Sequence, residues 1–328
     1  MRYTRAAPFE WGRVFILSLW RLLVHYQLIA SRLTSGELIP DALPVAGGGD
    51  YCSAWDAGDG WLVLVARTDE ASRSLERAAS ILPVIAPRVS IPIPEAGTTG
   101  VILGGQRFLM LRRLPGVPLS AALLDSMSPA QVETTARAIA AFLGEVHATP
   151  ADLAMAAGIP IGWYPFAATE DAMRDGPAEQ HYVADLAALT RASLLDRELL
   201  GRLDRLVTIH LQRGEEDPIL LHGEVSADHV LIDPETLDIT GIIDFQGVIL
   251  GDPIRDLLYL SDSYGSSFVD AVLSHYSDSA LRDPKPALEF YRVWHEVVRL
   301  LWAAEHGYQE RVPVLCSRVA AAVDAICR

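Results

Sequence analysis

The sequence predicts a mixed α/β (α+β) protein in two parts, a small β-rich part to about residue 114 and a larger, mainly helical part over 115–328. Three observations carry this. Short apolar runs separated by glycine turns fill residues 43–114. "PGVP" at 115–118 then breaks the pattern, and from Ser120 apolar residues recur at helical spacing. A second cluster of short β runs, over 219–247, lies inside the helical part.

The chain starts with an apolar stretch, "VFILSLWRLLVHYQLIA", interrupted by Arg21, His25 and Gln27. Its longest unbroken run, Val14 to Trp20, is far below the ~20 residues a membrane span needs. It reads as an amphipathic helix that docks on its own domain, with contact to a partner or a membrane surface through residues 1–20 as the alternative. No signal-peptide pattern follows it. Next, "LPVAGGGDYCSAWDAGDGWLVLVAR" predicts a strand, a glycine turn at Gly47, Gly48 and Gly49, a strand, a hairpin at "AGDG" and a third strand. "TDEASRSLERAASILPVIA" predicts a helix capped by Thr68 or Asp69. "SIPIPEAG" and "GVILGGQRFLMLRRL" predict further strands. "SPAQVETTARAIAAFLGEVHATP" starts with a Ser-Pro cap signal and stops at Pro150. Residues 151–215 read as a helical insertion, and "EFYRVWHEVVRLLWAAEHG" as one of the closing helices.

Composition narrows the function classes. Apolar residues make up 50% and charged ones 21%, as in folded soluble proteins. The formal net charge of −15 argues against nucleic acid, whose phosphates need a basic footprint. It suits a cationic small-molecule substrate or, more simply, a soluble surface. The acidic "TEDAMRD" and Glu305 would hold such a substrate or form a solvated helix face. Cys52, Cys316 and Cys327 form no CxxC pair, so structural zinc is not expected and a reducing, cytoplasmic setting fits.

The chemistry concentrates in "LLHGEVSADHVLIDPETLDITGIIDFQGVILGDPIRD", Leu220 to Asp256. His229 lies five residues after Glu224, and Asp244 fifteen after His229, across a hairpin at "DPETLD". This pattern brings an imidazole and a carboxylate together as metal ligands, with a second carboxylate nearby as a base. His147, His181, His210, His275, His295 and His306 show no ligand spacing and are expected at the surface or in the core.

The pattern His-Gly-acid, then "DHVL", "IIDF" and "GDPIRD", resembles the aminoglycoside and macrolide phosphotransferase superfamily. The resemblance extends less specifically to "AGGGDYCSAW" and "FLMLRRLPGVPL". It implies a two-lobed, protein-kinase-like fold and Mg²⁺-dependent transfer of the terminal phosphate of ATP or GTP to a hydroxyl of a small molecule, such as an antibiotic of those classes or a related metabolite. It also implies roles. Glu224 takes the place of the catalytic aspartate, His229 and Asp244 those of the metal ligands, and His222 that of the scaffold histidine of the catalytic loop. Asp252 and Asp256 would be structural. Gly47, Gly48 and Gly49 would cover the nucleotide, unless they form an ordinary loop, and the backbone of Leu109 and Leu111 would meet the purine. The chain departs from the family in three places. Glu224 replaces aspartate, Leu64 stands where relatives carry a basic residue, and Ala78 stands where they carry a glutamate. Arg67 is the candidate to replace the missing cation, whereas Glu76 would face elsewhere. The alternative is a kinase-fold protein that has lost phosphoryl transfer and binds a ligand or partner, or runs another reaction in the same cleft.

Overall fold

The computed structural model describes residues 27–49, 51–162, 178–214, 217–276, 281 and 284–326. The apolar segment before residue 27 and the acidic stretch 169–175 lie outside these residues. The chain divides into two units: the described residues to Ala79 with Pro94–Arg113, and Ser80–Ile93 with the described residues from Leu114 on.

The first unit opens with helix α1 (residues 27–35). Strands β1 (Val45–Gly48), β2 (Cys52–Gly58) and β3 (Trp61–Ala66) follow, then helix α2 (Asp69–Ile85), which starts in this unit and ends in the other. Strands β4 (Ala96–Val101) and β5 (Arg107–Arg112) complete an antiparallel sheet of order β1-β2-β3-β5-β4. The β2–β3 turn places Asp59 and Gly60 at φ 51° and 77°, the positive values a tight hairpin needs. Trp61, Val63 and Val65 alternate along β3, so one sheet face buries them with Phe108 and Met110 against Ile29 and Leu33 of α1. Gly100 lets α1 come close: a Cβ there would sit 2.9 Å from the Phe108 ring and 3.1 Å from Thr34. Thr68 caps α2, its hydroxyl accepting the amide of Ala71 at 3.1 Å.

One strand expectation needs correction. Residues 90–95 of "SIPIPEAG" form no strand, and β4 begins only at Ala96. Pro92 and Pro94 lack the N–H that a ladder requires. Part of this segment serves the second unit instead, since the Pro92 carbonyl accepts the Ile242 amide at 3.0 Å and Glu145 accepts the Ser90 amide at 2.7 Å.

The second unit adds β6 (Val117–Pro118) and helices α3 (Ala121–Asp125), α4 (Pro129–His147), α5 (Ala151–Ala156), α6 (Ala178–Arg191) and α7 (Arg197–Leu211). Ser128 and Gln131 form a reciprocal capping box at the start of α4. The β cluster resolves into two sheets. β7 (Ile219–Leu221) pairs with β10 (Ile249–Gly251), while β6, β8 (Val230–Ile232) and β9 (Ile239–Ile242) form the other. Helices α8 (Asp256–Tyr264), α9 (Ser266–His275), α10 (Pro284–Glu305) and α11 (Val312–Ile326) close the chain. Among the described residues no helix is long and apolar enough to cross a membrane.

Candidate phosphate and metal site

The site is built on two local devices of the second unit. The first is the turn that leaves β7. His222 is fully buried at its start, and the amides of His222 and Gly223 both donate to Asp256, at 2.9 Å to Oδ2 and 2.7 Å to Oδ1. Gly223 has φ 88°, and a Cβ there would lie 2.1 Å from the carbonyl oxygen of Gly247. Only glycine lets these two segments meet. The second device is the β8–β9 hairpin. Asp233 Oδ1 accepts the amides of Glu235 and Thr236 at 2.7 and 3.0 Å, and Val230 pairs with Ile242. This register carries His229 and Asp244 to the same end of the hairpin.

Hydrogen bonds fix both imidazoles. His222 Nε2 donates to the Ile243 carbonyl at 3.2 Å, while its Nδ1 accepts the Glu224 amide at 3.3 Å. One nitrogen must donate and the other accept, which is the neutral ring. Burial, opposed by Asp256, pushes its pKa down to about 4. His229 Nδ1 donates to the Glu224 carbonyl at 2.7 Å. In the neutral ring this leaves the lone pair on Nε2, which stands 3.4 Å from Asp244 Oδ2. A backbone carbonyl that orients the far nitrogen is the usual outer support of a ligating histidine. Asp244 sits in the left-handed region at φ 68° and takes the Gln246 side-chain amide on Oδ1 at 3.1 Å, with Oδ2 toward His229.

Glu224 is half-buried beside this pair. Burial raises its carboxyl to about 7; Asp244 and Asp228 add to the rise and His229 opposes it. The site therefore holds one group poised to take up a proton near neutrality and two groups suited to ligate. Among the described residues, no set of three or more His, Cys, Asp or Glu is close enough to hold a metal alone. Two protein ligands suit a hard cation that keeps water and phosphate oxygens in its other positions.

The structure thus brings His222, Glu224, His229 and Asp244 together: hydrogen bonds link the first three through the Glu224 backbone, and Asp244 lies 3.4 Å from His229. Asp252 caps the turn before α8 through Ile254 and accepts the Tyr291 hydroxyl at 2.9 Å. The remaining sequence candidates belong to the first unit. Gly47 and Gly48, with φ of 152° and 157° that favour glycine, end β1 just before the turn to β2, and Gly49 follows them. Arg67 binds that turn directly, Nη1 to the Gly49 carbonyl at 2.8 Å and Nε to Ser53 Oγ at 3.1 Å. Glu76 pairs with Arg107 of β5. Leu109 and Leu111 lie on β5, where Leu109 pairs with Leu64 and Thr99 and Leu111 with Leu62 and Ala96. Sequence reading missed Gln246 as a support of Asp244, and His147, whose partner is Asp256 at 3.0 Å. The glycines at 223 and 247 were the available signal for the close approach that organises the turn.

The chain is similar in sequence and fold to known proteins. A family model described as a phosphotransferase enzyme family matches residues 51–294. Viomycin phosphotransferase of Streptomyces vinaceus is 30% identical over 231 residues, covering 65% of this chain and 71% of that protein. The solved GDP complex of wild-type aminoglycoside 2'-phosphotransferase-IIIa superposes with a TM-score of 0.76 at 20% identity, covering 92% of this chain and 98% of that one. Macrolide 2'-phosphotransferase type I superposes with a TM-score of 0.61 at 20% identity, over 84% and 90% of the two chains.

Proposed function

This chain belongs to the phosphotransferase enzyme family, and from that premise we propose that it moves the terminal phosphate of ATP or GTP to a hydroxyl of a small, cationic molecule. The observation that carries the reading is the Glu224–His229–Asp244 network, in which a proton acceptor and two oriented ligands share one turn and one hairpin. Glu224 would accept the acceptor's proton as its oxygen bonds to the terminal phosphorus and the nucleoside diphosphate leaves. His229 Nε2 and Asp244 Oδ2 would hold Mg²⁺. A divalent cation held there would neutralise phosphate charge. His222, neutral and doubly bonded, holds the loop so that Glu224 and the Ile243–Asp244 segment keep their spacing. In the first unit, Arg67 would shape the glycine turn that meets the nucleotide.

The acceptor class follows from two supports. The net charge of −15 attracts cations, and a 30% identical relative is a viomycin phosphotransferase. An antibiotic of that kind, or a related metabolite, is the proposed acceptor, and the cytoplasm, where nucleotide and Mg²⁺ are available, is the proposed location.

One observation favours a second reading, a kept fold without transfer. The resemblance expects a charge pair at Leu64 and the buried Ala78, and Glu76, the nearest acid on the helix, is taken by Arg107. Calorimetric titration of ATP and GTP with and without Mg²⁺ separates the two. Mg²⁺-dependent binding that disappears in Asp244→Ala supports transfer. Binding of neither nucleotide would sink it and leave the second reading.

A further inference from the structure

We propose that Gln246 is a positioning residue for the cation: it presents Asp244 through one carboxylate oxygen and so makes the site select a small octahedral cation over Ca²⁺. The inference rests on the reading in which His229 and Asp244 hold a divalent cation. Gln246 lies in the single 3₁₀ turn Phe245–Gly247, which Asp244 caps. Both of its nitrogens reach the same atom. Its main-chain amide donates to Asp244 Oδ1 at 3.4 Å, and its side-chain Nε2 donates to that oxygen at 3.1 Å. The other oxygen, Oδ2, is turned to His229 Nε2, 3.4 Å away. The two oxygens are therefore unequal. A carboxylate oxygen offers about two acceptor sites, and on Oδ1 both meet N–H donors of Gln246. In the neutral His229 ring, Nδ1–H is held by the Glu224 carbonyl, so Nε2 turns a lone pair toward Oδ2. Two lone pairs that face each other call for a proton or a cation between them.

The number of oxygens on offer decides which cation fits. Neighbouring positions around an octahedral ion with Mg²⁺-like bonds lie roughly 3 Å apart. The Nε2–Oδ2 separation of 3.4 Å is close to that spacing. The two oxygens of one carboxylate lie closer together than two such positions, so Mg²⁺ takes one of them and leaves Oδ1 on Gln246. Ca²⁺ is larger, gathers about six to eight oxygens and gains from a carboxylate that binds through both. To offer Oδ1 as well, Asp244 would have to break both bonds to Gln246, a cost that Mg²⁺ does not incur. Gln246 thus acts on the choice of cation through Asp244, without touching the cation itself.

The test uses the full chain with Mn²⁺ alone as the probe. Electron paramagnetic resonance reads the free Mn²⁺ while Mg²⁺ or Ca²⁺ displaces it. Gln246→Met keeps the side-chain length and the main-chain donor but lacks Nε2, and Gln246→Ala removes the side chain. In the wild type, Ca²⁺ should need a concentration at least about tenfold above that of Mg²⁺ to displace half of the Mn²⁺. In both variants that ratio should fall to within about threefold. A merely structural role would weaken both cations alike and leave the ratio where it was. A ratio unchanged in both variants, or near one in the wild type, would overturn the inference. Should neither variant fold, infrared difference spectra of the wild type decide, read on the carboxylate bands that are missing in Asp244→Ala. With Mg²⁺ the asymmetric and symmetric stretches should show the wide splitting of one-oxygen ligation, and the narrow splitting of two-oxygen ligation would overturn the inference. Mn²⁺ that binds wild type and Asp244→Ala alike would defeat the metal reading of the site and the inference with it. Bound Mn²⁺ with an unchanged ratio would defeat the inference alone.

Discussion

Gly223→Ala tests the central contact of the site, because the geometry gives both its magnitude and its control. The new Cβ would sit 2.1 Å from the Gly247 carbonyl oxygen and 2.7 Å from its carbon. Ordinary contact starts near 3.4 Å, so one of the two segments must retreat by about 1 Å. The backbone at φ 88° adds roughly 1–2 kcal/mol of left-handed strain for an L side chain. Overpacking adds about 1–3 kcal/mol, for a total loss of roughly 2–5 kcal/mol in stability. Glu224 is next to one segment, and Asp244 lies three residues before Gly247 on the other. A displacement near 1 Å between them should lower turnover about a hundredfold. Gly247→Ala is the control for the same contact. Its Cβ would meet nothing closer than 3.6 Å, so stability and turnover should change little. Urea unfolding and steady-state kinetics on both variants check this. A Gly223→Ala protein with wild-type stability and rate, or equal damage in the two variants, would refute the steric reasoning.

Three further outcomes follow from the same coordinates. Arg67→Ala removes the clamp on the Gly49 carbonyl and Ser53, so nucleotide KM should rise about tenfold with kcat nearly unchanged, as read by steady-state kinetics. In the phosphotransferase reading one of the two proposed ligands is an imidazole nitrogen, so Mn²⁺ should support nucleotide binding at least as tightly as Mg²⁺, and His229→Asp should shift the preference toward Mg²⁺, both measurable by calorimetry. Burial lowers the folded-state pKa of His222 to about 4 and of His295 to about 3, whereas both would titrate near 6.5 in the unfolded chain. Below that value the unfolded chain binds protons that the fold refuses. The contribution of these two histidines should therefore be full above pH ~6.5 and fall by about 1.4 kcal/mol per pH unit each down toward pH 4, while Glu224, raised to about 7, acts in the opposite sense as pH falls from 7 toward 4.5. Urea midpoints at pH 7 and 5 measure the slope, and His295→Phe should reduce it by one histidine's share.

What was legible in the sequence was what local geometry decides. The β8–β9 hairpin announces itself through Asp233 and its turn, and a hairpin register alone carries His229 to Asp244. The cap at Ser128, the glycine turn at 58–60 and the helix stop at Pro150 are local in the same sense. What failed depended on distant partners. Residues 90–95 have strand-like composition, but two missing N–H groups and a role for the Pro92 carbonyl beside Ile242 exclude them from the sheet. The partners of Glu76 and His147 are Arg107 and Asp256, and no spacing rule reaches across such separations.

The glutamate at position 224 gains meaning from how firmly its backbone is held. Its amide donates to His222 Nδ1, its carbonyl accepts His229 Nδ1–H, and the preceding amide is bound by Asp256. With both sides of the peptide fixed, the main chain has no freedom to absorb an added methylene. The extra carbon therefore moves the carboxylate outward by about one bond length, roughly 1.5 Å, from where an aspartate would place it. Backbone compensation is closed off by the same hydrogen bonds that orient His229. In the phosphotransferase reading, the acceptor hydroxyl must lie correspondingly farther from the loop, so the acceptor's geometry makes up the difference. In that reading a longer base on an unchanged loop would act as a specificity element, and acceptor screening should favour hydroxyls that a shorter aspartate would not reach.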